Sequence, residues 1–176
     1  FRNNPLFREV TKQSGITYTH RETDFVDFNI QKLLPHKFSE YGPWIAAGDI
    51  DGNGLDDLVM GGSANNSARL FFQKPDGTFN EKSLLKGSDL SNKLWDDTGI
   101  LLFDADNDMD LDLYISSGGY ENENNTSVYQ DHFYVNNGKG EFTENQEGIP
   151  LNYTSKFCVR ADDFDRDGDL DLFVAG

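Results

Sequence analysis

An acidic segment of nine residues occurs three times in this chain of 176 residues and constrains the fold more than any other feature. The copies are residues 49–57, 104–112 and 163–171, which we call loops 1, 2 and 3. Each copy carries an oxygen-bearing side chain at its first, third, fifth and ninth positions. Side chains at alternate positions of a tight loop converge, so the pattern predicts three points where several carboxylates meet.

Carboxylates that meet in this way repel one another unless a cation lies between them. Two such charges about 4 Å apart cost roughly 4 kcal/mol at the effective dielectric of a protein surface. Ca²⁺ suits these loops because it accepts many hard oxygen ligands in flexible geometry, whereas Mg²⁺ requires a stricter octahedron. The loops contain no Cys or His, which argues against Zn²⁺.

We therefore expect up to three Ca²⁺ ions in a structural role, one in each loop. A single acidic loop is often only a solvated turn, but three copies in register favour bound ions. The predicted ligands are the side chains of Asp49, Asp51, Asn53, Asp57, Asp104, Asp106, Asp108, Asp112, Asp163, Asp165, Asp167 and Asp171, with the backbone carbonyls of Leu55, Asp110 and Asp169.

The loops begin like EF-hand loops but continue differently. An EF-hand has a bidentate Glu at position twelve and a helix after the loop. Here position twelve is Met60, Ile115 or Val174, and each lies in a short apolar run. Such runs, rich in β-branched and aromatic residues, predict buried strands. Each loop is therefore expected to connect two strands.

Other features repeat with the loops, whose starting points are about 55 to 59 residues apart. Apolar runs precede the loops at 44–47, 100–103 and 158–161, and predicted hairpins span 69–81 and 132–144. Four strands repeated at this period are typical of a β-propeller blade. The predicted fold class is all-β, a partial propeller of about three four-stranded antiparallel blades.

The repeat pattern is incomplete at both ends. Two whole units cover 49–103 and 104–162, and residues 6–10 are predicted as an outer strand without a preceding blade. A propeller needs about 4–8 blades to close. We therefore expect a piece cut from a longer protein, or copies that self-associate through open strand edges.

Residues 1–40 are predicted as this outer strand plus an extended flap, and residues 41–176 as the repeats. The flap carries several aromatic residues, for which packing on the propeller is favoured over contact with a partner.

The composition limits the function. The formal net charge of −16 argues against nucleic acid or an anionic membrane as partner, because both require a basic face. No apolar run approaches the roughly 20 residues of a membrane span. The lone Cys158 is expected to be a small buried hydrophobic residue, since no activating base is identifiable near it.

Several segments resemble FG-GAP/VCBS repeats, which occur in integrin α-subunits and in many bacterial surface proteins. Tyr41-Gly42 occupies the Phe-Gly position, 57–63 resembles the segment ending in Gly-Ala-Pro, and all three acidic loops match. The later units depart from both flanking motifs. The opening residues, including 6–11 and 33–37, resemble the ASPIC/UnbV and cartilage-acidic-protein-like group. The resemblance implies a calcium-binding propeller in an extracytoplasmic protein, whether at the cell surface, secreted or periplasmic.

Three functions remain open from the sequence. The favoured one is a non-enzymatic module that binds a protein or glycan partner in adhesion. An alternative is the propeller domain of a polysaccharide lyase or hydrolase, for which the acids outside the loops would be Asp96, Asp97, Glu121 and Glu123. A third is a structural spacer. No catalytic constellation is identifiable, so an enzyme is not expected.

Overall fold

The computed structural model describes residues 6–176, apart from the side chain of Ser88. The fold is all-β and forms three antiparallel sheets, of four, four and two strands. The strands are β1 (Ile45–Gly48), β2 (Asp57–Met60), β3 (Arg69–Gln73), β4 (Phe79–Ser83), β5 (Asp96–Phe103), β6 (Asp112–Gly118), β7 (His132–Val135), β8 (Thr143–Glu144), β9 (Cys158–Asp162) and β10 (Asp171–Ala175).

Helical structure is limited to short turns. There are two four-residue α-helices, α1 (Thr11–Ser14) and α2 (Ser88–Ser91), and 3-10 turns at Asp27–Asn29, Ser127–Tyr129 and Gln146–Gly148. Within the described residues, no helix has both the length and the apolar character needed to cross a membrane.

Each sheet is one blade, and its strands follow one another in chain order. Blade 1 is β1–β4, blade 2 is β5–β8, and blade 3 consists of β9 and β10. The register is the same in all three, with pairs Ala47–Leu58, Leu102–Leu113 and Ala161–Leu172. This arrangement confirms the predicted partial propeller.

The core lies between neighbouring blades, because each blade is apolar on the faces that meet. The cluster between blades 1 and 2 contains Ile50, Val59, Ala68, Leu70, Ile100, Leu113, Ile115 and Tyr134. The cluster between blades 2 and 3 contains Phe103, Tyr114, Phe133 and Val159. Blade 3 has one covered face, so Phe173 in its second strand is 69% exposed.

The predicted outer strand at residues 6–10 is wrong, since these residues are irregular and lead into α1. A strand forms only when a neighbour pairs with its backbone groups, and no blade lies beside this segment in the described structure. Residues 1–5 of the predicted N-terminal region lie outside the described residues. The division of the chain at residue 40 stays a prediction.

The flap packs on the propeller at several points, as its aromatic residues suggested. Tyr18 meets the edge of Phe71 with ring centroids 6.1 Å apart. Phe38 stacks on Tyr120 at 5.4 Å. Leu33, in contrast, is fully exposed. The packing is therefore partial.

Candidate metal centres

The three acidic loops occupy equivalent places in the three blades. Each connects the first strand of a blade to the second, and its ninth residue begins the second strand. Because the first strands run in the same sense through the repeat, all three loops lie at corresponding ends of the blades.

Each loop brings three carboxylates together. The groups are Asp49, Asp51 and Asp57 in loop 1, Asp104, Asp106 and Asp108 in loop 2, and Asp163, Asp165 and Asp171 in loop 3. Within each group, one oxygen per residue lies within 4.8 Å of the others. Positions one and three contribute in every loop, while the third member is position nine in loops 1 and 3 and position five in loop 2.

The remaining predicted ligands are not members of these groups, and metal binding by every predicted ligand stays a prediction. The remaining ligands are Asn53, Leu55, Asp110, Asp112, Asp167 and Asp169. The Asn53 side chain has protein partners, since its Nδ2 donates to the Gln73 carbonyl and its Oδ1 accepts from Leu55 N.

Backbone hydrogen bonds shape the loops in the same way. The carboxylate at position one accepts from the N–H at position six, as in Gly54 to Asp49 at 2.7 Å and Gly168 to Asp163 at 3.2 Å. The side chain at position five accepts from the N–H at position seven, as in Asp110 to Asp108 at 3.0 Å. These bonds hold the carboxylates on the inner side of the turn.

Two positions of each loop have left-handed backbone. Position four has φ of 74° at Gly52, 62° at Asn107 and 64° at Arg166. Position six has φ of 83° at Gly54, 73° at Met109 and 100° at Gly168. Glycine adopts this conformation freely and Asn tolerates it, whereas in a bulky residue such as Met it strains the backbone.

In blades 1 and 2, the aspartate at position nine accepts hydrogen bonds both from its own loop and from the end of the third strand of its blade. Asp57 accepts from Ile50 N at 3.1 Å and from Gln73 N, at the end of β3, at 2.7 Å. Asp112 accepts from Ala105 N at 3.0 Å and from Asn136 N, just after β7, at 2.9 Å. Both carboxylates are buried and hold the third strand of their blade.

In blade 3 the aspartate at position nine, Asp171, makes only the first of these two hydrogen bonds. Asp171 accepts from Phe164 N at 3.0 Å, the equivalent of the first bond. The described chain has no third strand in this blade, so the second bond has no equivalent, and Asp171 is exposed.

Among the described residues, no Lys, Arg or His side chain forms an ion pair with a loop carboxylate. Burial raises the pKa of Asp57 and Asp112, and the other carboxylates of the same loop add to the effect. Burial, followed by the repulsion of Asp108 and Asp112, also raises the pKa of Asp110. A divalent cation would relieve this repulsion.

The donor atoms fit such an ion. They are hard carboxylate oxygens, which Ca²⁺ prefers. Asp163 Oδ1 and Asp110 Oδ1 are buried and have no hydrogen-bond partner. Buried polar atoms are rarely left without a partner, so these two oxygens are consistent with an ion at loops 2 and 3.

Two of the acids outside the loops accept hydrogen bonds from backbone N–H groups. Asp97 Oδ2 accepts from Gly62 N at 2.7 Å, and Asp96 Oδ1 accepts from Ala64 N at 2.9 Å. A Cβ built on Gly119 would lie 2.7 Å from Asp96 Oδ2 and closer still to Glu121 Oε2, so these two carboxyls face each other across the glycine.

A buried lysine joins blades 1 and 2, and the sequence analysis did not identify it. Lys93 Nζ lies 3.2 Å from Asp97 Oδ1, and both side chains are 1% exposed. The same ammonium donates to the carbonyl of Ser63 in blade 1 at 2.8 Å.

Lys156 repeats this arrangement between blades 2 and 3. Its Nζ lies 3.1 Å from Asp131 Oδ1 and donates to the carbonyls of Tyr129 and Asn152. Burial lowers the pKa of Lys156. Each of these lysines lies shortly before the first strand of its blade, β5 or β9, and this shared position is the signal by which the sequence could have identified them.

The repeated region of the chain is similar to a known protein family. A family model described as FG-GAP-like repeat matches residues 49–115 and 116–174. These two matches cover all three acidic loops and nearly all of the strands. No curated protein matches the chain.

Proposed function

Because the chain belongs to the FG-GAP-like repeat family, we propose that it is a calcium-binding propeller module of an extracytoplasmic protein. In this proposal, Ca²⁺ bound by the loops has a structural role. The observation that carries the proposal is the carboxylate triad found at the same place in each of three blades. An ion at each site would neutralise the repulsion and fix the turn between the first two strands.

The test is thermal unfolding of the full chain in Ca²⁺ and in EDTA. An ion that binds only the folded state stabilises it by about 2.7 kcal/mol at a hundredfold excess over Kd. We expect a higher Tm in Ca²⁺, with a smaller response to Mg²⁺. The response should shrink when Asp49→Asn and Asp51→Asn remove charge from loop 1. An unchanged Tm in EDTA would refute calcium binding.

We propose that the partner is a protein or a glycan, bound at the ends of the inner strands opposite the acidic loops. A cavity of about 430 Å³ lies there, lined by Tyr41, Gly42, Pro43, Trp44 and Phe157. Trp44 and Phe157 each precede a first strand whose other end leads into an acidic loop. Aromatic faces provide large, rigid contact area for such ligands.

Binding and cleavage can be separated by one screen. A glycan panel is incubated with the chain, and both retention and shortening of each glycan are recorded. A binding module retains a glycan without shortening it. Cleavage would favour the polysaccharide-active alternative, although Asp96 and Asp97 already have backbone partners. A chain that retains no member of the panel, and no protein partner, would fit the spacer.

We also propose that the chain self-associates through the open edge of blade 3. In blades 1 and 2 the second strand pairs on both sides, whereas β10 pairs only with β9 in the described structure. Phe164 is 88% exposed beside this edge, and a cavity of about 510 Å³ there is also lined by Leu172 and Phe173. Light scattering across a concentration series tests this, and a monomer at every concentration would contradict it.

A further inference from the structure

Asn136 contacts two acidic loops at once. It lies directly after β7 and is 5% exposed. Its side-chain Nδ2 donates to the carbonyl of Ile50, the second residue of loop 1, at 2.8 Å. The same Nδ2 donates to the carbonyl of Leu111, the eighth residue of loop 2, at 3.1 Å. One buried amide therefore bridges neighbouring loops of different blades.

The turn that follows Asn136 also lies between these loops. A Cβ built on Gly52, in loop 1, would lie 3.3 Å from the Gly138 carbonyl. A Cβ built on Gly138 would lie 3.3 Å from Asp110 Oδ2, in loop 2. The β7–β8 hairpin thus approaches both loops closely, and a displacement of either loop would disturb it.

Blade 1 has a residue at the position equivalent to Asn136. Gln73 is the blade 1 counterpart of Asn136, because each backbone N–H binds the position-nine aspartate of its own blade. No hydrogen bond from the Gln73 side chain to a loop is among those described.

We propose that Asn136 is a positioning residue that couples cation binding at loop 1 to cation binding at loop 2. The proposal rests on the proposed calcium function. An ion that orders loop 1 fixes the Ile50 carbonyl and hence the Asn136 amide. The same amide then holds the Leu111 carbonyl, so loop 2 is partly ordered before its own ion binds. The coupling is reciprocal, as thermodynamic linkage requires.

The experiment is a calorimetric Ca²⁺ titration of the full chain after EDTA treatment. Asp163→Ala and Asp165→Ala silence loop 3, which leaves two sites. The second ion should bind at least about fivefold more tightly than the first, the lower end of the range for coupled sites. Asn136→Ser should abolish this difference, because a hydroxyl has one donor and cannot reach both carbonyls.

Gln73→Ser is the matched control, since it alters the equivalent position in blade 1 without removing a bridge, and it should leave the coupling intact. A second measurement keeps Asn136 unchanged. Asp51→Ala, which silences loop 1, should lower the Ca²⁺ affinity of loop 2 at least about fivefold.

The outcomes separate the two proposals. Independent binding at loops 1 and 2 in the chain with loop 3 silenced, or coupling that survives Asn136→Ser, would overturn the role of Asn136 and leave calcium binding standing. If Asp51→Ala leaves the Ca²⁺ affinity of loop 2 unchanged, the role of Asn136 is likewise overturned and calcium binding still stands. If the parent chain takes up no Ca²⁺, both proposals fail together.

Discussion

Met109 places a bulky side chain where the other two loops have glycine. Its φ is 73°, and the conformation is needed because Met109 N donates to Asp104 Oδ2 at 3.0 Å. A left-handed conformation costs an L-residue roughly 1–2 kcal/mol. The side chain is 93% exposed, so its removal sacrifices little packing.

Met109→Gly should therefore stabilise the protein. The change recovers about 1–2 kcal/mol of backbone strain. It loses about 0.4–1 kcal/mol because glycine makes the unfolded chain more flexible. The net gain in the free energy of unfolding is about 0.5–1 kcal/mol, which raises Tm by about 2 °C in a chain of this size.

The reverse change in the other loops should have the opposite sign. A Cβ on Gly54 or Gly168 would meet no heavy atom within 4 Å, so substitution strains only the backbone. Gly54→Ala and Gly168→Ala should each lower the free energy of unfolding by about 0.5–1 kcal/mol.

Urea denaturation in EDTA measures these differences without any contribution from bound cation. Met109→Ala is the control, because it shortens the side chain but keeps the Cβ that causes the strain, and it should be close to neutral. The reasoning is refuted if Met109→Gly is no more stable than Met109→Ala, or if Gly54→Ala is neutral.

Three further predictions concern the blades themselves. Burial, then the charge of Glu121, raises the pKa of Asp96 to about 7. The folded chain then binds this proton more tightly than the unfolded chain. Stability should fall as pH rises from about 4 to 7, and Asp96→Asn should flatten the profile of Tm against pH in EDTA. Lys156→Met leaves the buried Asp131 carboxylate without its cation, so urea denaturation should show a loss of about 3–5 kcal/mol. Leu113→Ala empties a site that is 0% exposed, and should cost about 3 kcal/mol. Leu172→Ala, at the equivalent position of blade 3 but 37% exposed, should cost less than half as much. Equal losses would contradict the greater exposure of this position in blade 3.

The architecture was predictable because its signals are local. An apolar run, an acidic loop and a second apolar run define each pair of inner strands, and the glycine-containing turns mark the hairpins. The structure places all ten strands close to these signals. The failure at residues 6–10 has a physical reason, since apolar residues favour a strand only where a neighbouring strand supplies hydrogen bonds.

The interactions that join the blades were not predictable. Lys156 pairs with Asp131 across 25 residues of chain, and nothing in their surroundings marks them as partners. Asp96 and Asp97 begin β5 although charged residues rarely enter a buried strand. Their burial is explained by Lys93, four residues before Asp97, and by distant backbone N–H donors in blade 1. Asn136 resembled an ordinary turn residue, because its contact with Ile50 spans 86 residues.

The buried lysines between blades bear on how this chain can be divided. A fragment cut immediately after Lys93 would leave its ammonium with blade 1 and the Asp97 carboxylate with blade 2. The first piece would carry the Lys93 ammonium without its carboxylate, and the second would carry the Asp97 carboxylate without its ammonium. Expression boundaries chosen at the sheet edges would thus sever polar contacts as well as apolar ones. The smallest fragment expected to reach the native fold contains two adjacent blades together with the segment that joins them.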